Sequence, residues 1–302
     1  MGNGSSKETT PRKTGKATSS RVRALLRRET AARFITGAAL ALVVTVVFAI
    51  FGYIIYRGAG SISWEFIFGS PKDRMTQGGI WPAIAGTLWL VALTALFSLP
   101  VGIATGIYLS EFSNGSPFAR FLHVAIANMA GIPSVIYGLF GYAAFSIALG
   151  FQKSILAMGL TLACVTLPVV ITSTEEALKQ LPIELRRASL ALGATKWRTT
   201  YRIVVPTALP GIITGAILGL SRAAGETAPI LFTGVAFFAA TPTSVMQPSM
   251  ALPYHLYIMA TQPTVPAPKI VWGTALVLVG MLSIISALAA TWRSRRRRKL
   301  TW

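Results

Sequence analysis

Uncharged apolar runs of about twenty residues recur along this chain, and short polar segments between them hold most of the charge. A helix rises 1.5 Å per residue, so such runs can cross a hydrocarbon core of about 30 Å. Six are predicted to do so: Thr36 to Tyr56, about Ala83 to Leu109, about Phe121 to Leu149, about Ser154 to Ile171, a span from near Leu209 to beyond Pro229, and Val271 to Thr291. Pro100 in the second is compatible with a membrane helix whose freed carbonyl finds a neighbour or water. The third and fourth, joined only by Gly150 to Lys153, have to run antiparallel. The pattern predicts an all-α integral membrane protein with a basic tail at 1–33, a first anchor helix at 34–57 and an outer loop at 58–82. A core at 83–291, with a cytoplasmic loop at 175–207, and a basic tail at 292–302 complete it.

Composition sharpens this reading. The 302 residues are 53% hydrophobic and 12% charged, which excludes an ordinary soluble domain. The formal net charge of +19 comes mainly from the tail up to Arg33, the stretch Lys179 to Arg202 and the end Arg293 to Lys299. Basic blocks flanking apolar spans mark cytoplasmic loops, so both termini are expected in the cytoplasm. The opposite side carries the sparser set Arg57, Lys72, Arg74, Lys153 and Lys269. Nucleic acid is the weaker partner, because no aromatic-interleaved basic motif accompanies the charge. The first 30 residues are too polar to bury a core and are expected to be disordered. Met1 to Ser6 matches a myristoylation pattern, but six spans make a lipid anchor superfluous. No cleavage pattern closes the first span, so it is expected to stay as an anchor. The single cysteine, Cys164, permits no internal disulfide. His123 and His255, far apart in sequence, are not expected to build a metal site.

Two segments depart from plain apolar helix. The first, Leu181 to Pro210, reads as a helix, a turn and a second helix. Pro182 and Glu184 suit a helix start, Gly193 permits a sharp exit, and Lys196 to Val205 precedes Pro206 and Pro210. One reading is an interfacial hairpin that only spaces two spans. The other rests on resemblance: Ala188, Gly193 five residues on, Ile203 and Pro206 resemble the EAA loop of ABC importer permeases. Arg187 stands where that motif has its first Glu, and Ser189 replaces its second Ala. The resemblance implies docking on a cytoplasmic ATPase and transmission of its ATP-driven closure, with Arg186 and Arg187 expected to engage acidic groups of the partner.

The second segment, Ser221 to Pro229, places Arg222 and Glu226 inside an apolar span. Counting from Pro210 puts Arg222 about 18 Å along the helix, near the midplane. A charge there has to face protein or water and have a partner, and Glu226 lies at i+4. Gly211, Gly215 and Gly219 share that face as a small-residue stripe that lets another helix approach. Two readings stand: a buried ion pair that fixes register, or a guanidinium that binds oxyanion oxygens bidentately and is held by Glu226 while the path is empty. Gly131, Pro133, Ser134 and Tyr137 interrupt the third span, either lining that path or packing against the fifth.

The run RAAGETAP, followed by Phe232–Thr233–Gly234 and Met250–Ala251–Leu252–Pro253, resembles the PstA family of bacterial phosphate-importer permeases. Gly86–Thr87–Leu88, Leu99–Pro100–Val101–Gly102, Tyr108–Leu109–Ser110–Glu111 and the run from Ala130 to Gly138 are similar to it as well. The resemblance implies a type I ABC importer permease (MetI-like) fold in the bacterial cytoplasmic membrane. It further implies a PstC-like permease partner, a PstB-like ATPase dimer and a PstS-like phosphate-binding protein. No G-x-x-x-x-G-K-[ST] loop, HExxH motif or Ser-His-Asp arrangement occurs in the sequence, so no catalytic site, cofactor or metal is expected. A permease for sulfate, molybdate or phosphonate shares this architecture. A secondary anion transporter would need ion-coupling groups and often repeats, and a membrane enzyme would need polar clusters on several spans.

Overall fold

The computed structural model describes residues 15–75, 77–262 and 268–298. The chain forms two units, one ending at Ile55 and one starting at Tyr56. The first is most of one long helix, α1 (Gly15–Gly58), uncharged after Arg33 as far as Tyr56. Disorder of the first 30 residues is therefore corrected from Gly15 onward. Ala24, Leu25, Leu26, Arg27 and Arg28 are good helix formers, and extending an existing helix needs no new nucleus. The myristoylation-like start lies outside the described residues.

The second unit begins with α2 (Trp64–Phe68), capped by Ser63, and a small hairpin of β1 (Pro71–Lys72) and β2 (Gln77–Gly78). The long helix α3 (Trp81–Ile107) ends in a π turn, Tyr108–Phe112. Then come α4 (Pro117–Gly131), α5 (Ser134–Gly141) with its π continuation Tyr142–Ala148, and α6 (Ile155–Lys179). The polar hairpin is α7 (Ile183–Ala191) and α8 (Lys196–Thr199). A π turn, Thr200–Val204, leads into α9 (Val205–Gly225), and α10 (Ile230–Thr233), α11 (Leu252–Thr261) and α12 (Pro268–Arg298) finish the unit.

Among the described residues five helices are long and apolar enough to cross a membrane, or six if α4 and α5 count as one span. The third expected span is interrupted at the residues singled out for it, and the break is sharp: the helices bend by 104° between Gly131 and Ser134. Pro133 drives Ile132 out of the helical region to φ −73, ψ 129, which ends α4. The fifth is corrected at both ends. It runs without a gap from Lys196, because the π turn before Pro206 absorbs a residue that cannot donate an N–H. It stops at Gly225, and Glu226 is already extended.

Close helix approach organises the unit. A Cβ on Gly102 would lie 2.7 Å from Val170 Cγ1 and one on Gly106 2.6 Å from Thr174 Cβ, so α3 lies against α6 at these glycines. The stripe on α9 serves the same helix: Gly211 faces Ala177, Gly215 faces Ser173 and Gly219 faces Thr166 and Val170. Leu90, Leu93, Met158, Leu162 and Ile230 fill one core between α3, α6 and α10. Thr87 Oγ1 accepts from the Leu252 N–H at 2.9 Å, fixing the start of α11 on α3.

Gly106→Leu is expected to destabilise the protein by about 1–3 kcal/mol through overpacking, lowering its melting temperature in detergent. Gly131→Ala, with nothing within 4 Å of the added carbon, should leave it unchanged. His255 on α11 is buried, and its ring nitrogens have no hydrogen-bond partner among the described residues. Burial pushes its pKa down to about 4 from 6.5, so the unfolded chain binds the proton more tightly. Its contribution is complete above pH 6.5 and disappears as pH falls toward 4, a loss of about 3 kcal/mol. Thermal unfolding across that window should be flatter for His255→Phe.

Candidate functional site

Two helix breaks meet beside α6. On one side Tyr137, in the first turn of α5, donates its hydroxyl to the Met129 carbonyl at 2.8 Å, bracing the bend between α4 and α5. Pro133 offers no capping side chain to α5, and with the Ile136 N–H donating to the Pro133 carbonyl at 3.0 Å, Ser134 and Val135 are the first-turn residues whose amides lack an intrahelical acceptor. On the other side α9 ends three residues after Arg222. The Arg222 Nε donates to Glu226 Oε1 at 3.4 Å. Glu226 was expected on the helical face of a span continuing past Pro229. Instead it reaches back from the extended residue after the last turn, and Arg222 gains the negative end of the helix dipole.

The breaks open into one cavity of about 300 Å³, lined by Ser134, Tyr137, Arg222 and the α6 residues Val165, Pro168, Val169, Thr172 and Glu175. The α9 register on α6 brings Arg222 level with the middle of that 25-residue helix, far from both of its ends. Arg222 from one run of sequence and Ser134 and Tyr137 from another therefore share a wall. Arg222 is 64% exposed and Glu226 only 17%, so it is the cation that faces the open space. Ser134 has no hydrogen-bond partner among the described residues and can donate to a guest. Tyr137 has its proton on Met129 and can only accept.

Two groups were not expected at this cavity: Glu175 was not singled out, and His123 was weighed only as a metal ligand. Glu175, almost buried, lies 2.5 Å from Lys179 Nζ and 3.6 Å from His123 Nε2, and both Glu175 and His123 line the space. The Glu175/Lys179 spacing of i,i+4 was the available signal. His123 carried none, since it approaches from α4 across the fold. Among the described residues no group of three His, Cys, Asp or Glu is placed to hold a metal ion.

The hairpin is built as the sequence implied, with one correction. Gly193 takes φ +79, a left-handed turn between α7 and α8 that favours glycine. Ser189, the departure from Ala, is buried and hydrogen-bonds Thr199 Oγ1 at 2.8 Å, tying the two helices together. Glu184, Arg187 and Ala188 are exposed, and Leu192 at the turn is 89% exposed. Arg186 is not an exposed cation for a partner. It donates to Glu111 at 3.1 and 2.7 Å, and this pairing holds its pKa above the ordinary guanidinium value. Glu111 entered the sequence reading only as part of a resemblance.

Residues 99–299 match the family model of the binding-protein-dependent transport system inner membrane component. The chain is 37% identical over 240 residues to phosphate transport system permease protein PstA 1 of Mycobacterium tuberculosis, covering 78% of this chain and 77% of that protein. With the PstA permease of Mycobacterium leprae it shares 39% over 217 residues, covering 72% and 71%. Among solved structures it resembles a chain of a bacterial alginate ABC transporter complex, with TM-score 0.61, 16% identity and coverage of 86% and 94%. The MetNI methionine ABC transporter gives TM-score 0.57 at 17% identity, covering 72% and 97%. These two likenesses speak to the fold alone, which is the MetI-like one expected. On the family match and the identity to its relatives, the chain belongs to the inner membrane components of binding-protein-dependent transport systems, as a multi-pass PstA-type permease of the cytoplasmic membrane.

Proposed function

We propose that this permease forms half of the translocation path of an ATP-driven importer of inorganic phosphate. The observation that carries the reading is the meeting of two broken helices at a cavity walled by Arg222. Irregular backbone at membrane depth is tolerated where it lines a cavity, and transporters bind charged substrates at such breaks. Phosphate oxygens suit a planar guanidinium fork, which binds two of them at once, and an uncapped helix start favours the same negative charge. Arg222 and Ser134 are the contacts, Glu226 holds the guanidinium between cycles, and Tyr137 keeps the α4–α5 bend in shape. The relatives named for phosphate transport support that substrate.

Energy enters through the hairpin, with Glu184, Arg187, Ala188 and the Gly193 turn presented to a PstB-like ATPase dimer. Exposed Leu192 and Trp197 beside these charges make a face fit for burial against a partner. A PstC-like permease supplies the other half of the path and a PstS-like protein delivers phosphate from outside. Both termini lie on the cytoplasmic side with the hairpin, by the distribution of Lys and Arg.

In the reconstituted complex Arg222→Ala should lower radiolabelled phosphate uptake about 10- to 100-fold, the scale of a lost charge-assisted contact, with assembly intact. Arg222→Lys should fail similarly, since a point charge cannot replace the fork; normal uptake by either variant discards the role. Gly193→Pro, which cannot adopt φ +79, should abolish ATP-driven uptake while membrane insertion persists, read out by uptake and hydrolysis on one preparation.

A further inference from the structure

We infer that Glu111 and Arg186 form the internal latch that makes the hairpin, the end of α3 and the end of α6 move as one body. This deepens the ATP-coupled reading above and rests on it. One guanidinium joins three elements: from α7, Arg186 donates twice to Glu111 at the end of α3, to Leu178 O at 2.8 Å within α6, and to Leu181 O at 3.2 Å just past it. The pair is largely shielded, with Arg186 16% and Glu111 7% exposed. Such pairs are unreliable stabilisers but specify geometry, the property a lever needs.

A second fastening lies beside the first. Lys196 at the start of α8 donates to Asn114 Oδ1 at 3.2 Å and sits 5.6 Å from the Phe112 ring centroid. Phe112 also meets Trp197, with ring centroids 5.9 Å apart. Both helices of the hairpin are therefore pinned to the turn that ends α3, while Ser189 and Thr199 pin them to each other. The hairpin cannot swing about the short connection Gln180–Pro182 without breaking these contacts. The anchor carbonyl at Leu178 lies three residues from Glu175 in the cavity wall, so a push on the hairpin reaches the wall through less than one turn of helix.

Glu111 and Arg186 are thus positioning residues, remote from the substrate. The test is Glu111→Gln, which keeps shape and one acceptor oxygen but removes the charge, with Arg186→Lys, which keeps the charge but loses the fork. Each is assembled with the partner permease, ATPase and binding protein in liposomes, and ATP hydrolysis and phosphate uptake are measured together. Both should assemble in normal yield and hydrolyse ATP, while ATP consumed per phosphate rises about tenfold or more, as expected when a buried charge pair loses a partner. An unchanged ratio in both variants overturns the latch, as does failure of both to assemble, which would make the pair a folding element. If the unsubstituted complex takes up phosphate without ATP, the coupling reading itself falls and the latch with it.

Discussion

A guanidinium is admitted to the interior of a bilayer only where protein or water faces it, and much of this fold follows from meeting that condition at Arg222. An uninterrupted α9 would present the charge on the side of a rod, with Glu226 as its neighbour one turn on. Ending the helix three residues later changes its surroundings: the cation falls in the last turn, at the negative end of the helix dipole, and Glu226 folds back from an extended residue to reach it. The opposite wall is supplied by a second interruption, the bend at Pro133, which places a helix start where a negative guest would rest. Each break leaves backbone groups in need of partners, and the shared cavity lets one volume serve both.

Closeness of the helices makes such a volume possible. Glycines on α3 and α9 clamp α6 from two sides, and four of its hydroxyls, those of Thr161, Thr166, Thr172 and Ser173, return to carbonyls of their own helix. Polar side chains thereby enter the membrane layer without unpaired hydroxyl donors at those positions. The seam holds α6 still while the space beside Thr172 and Glu175 stays open. The cavity wall and the packing wall are thus opposite faces of one helix.

Much of this was legible in the sequence because it depends on local pattern. Apolar runs of membrane length, the Gly193 turn and the α9 glycine stripe depend on near neighbours, where periodicity speaks directly; the Arg222/Glu226 pair was legible as a spacing, but not the helix end that lies between its members. Misreadings arose where a residue answers to something distant. The π turn that carries Thr200 to Val204 into α9 has no simple signature, so Pro206 reads as a stop when it lies inside a continuous run. Arg186 looks like a solvent-facing charge until Glu111, 75 residues earlier, is brought beside it. His123 and Glu175 belong to different helices, and no spacing rule links them. The early expectation of a disordered tail failed for the opposite reason, since composition was weighed and helix propagation from a neighbouring span was not.

The two sides of the cavity differ in what holds them. α6 is locked to α3 and α9 by backbone approaches too close for a side chain, and through Leu178 it is tied to the hairpin. α5 is also close-packed, with Gly138 against Ala228 and Pro229 and Gly141 against Thr161. α4 is different: only Ala119 and Ile126 are buried along it, and Phe118, Phe121 and Val124 lie exposed. The α4 limb is thus held by fewer buried side chains than the α3–α6–α9 body, and the Tyr137 hydroxyl braces its bend from across the break. His123 on that limb and Glu175 on α6 approach to 3.6 Å at the cavity, so this contact joins its sparsely packed wall to its close-packed one.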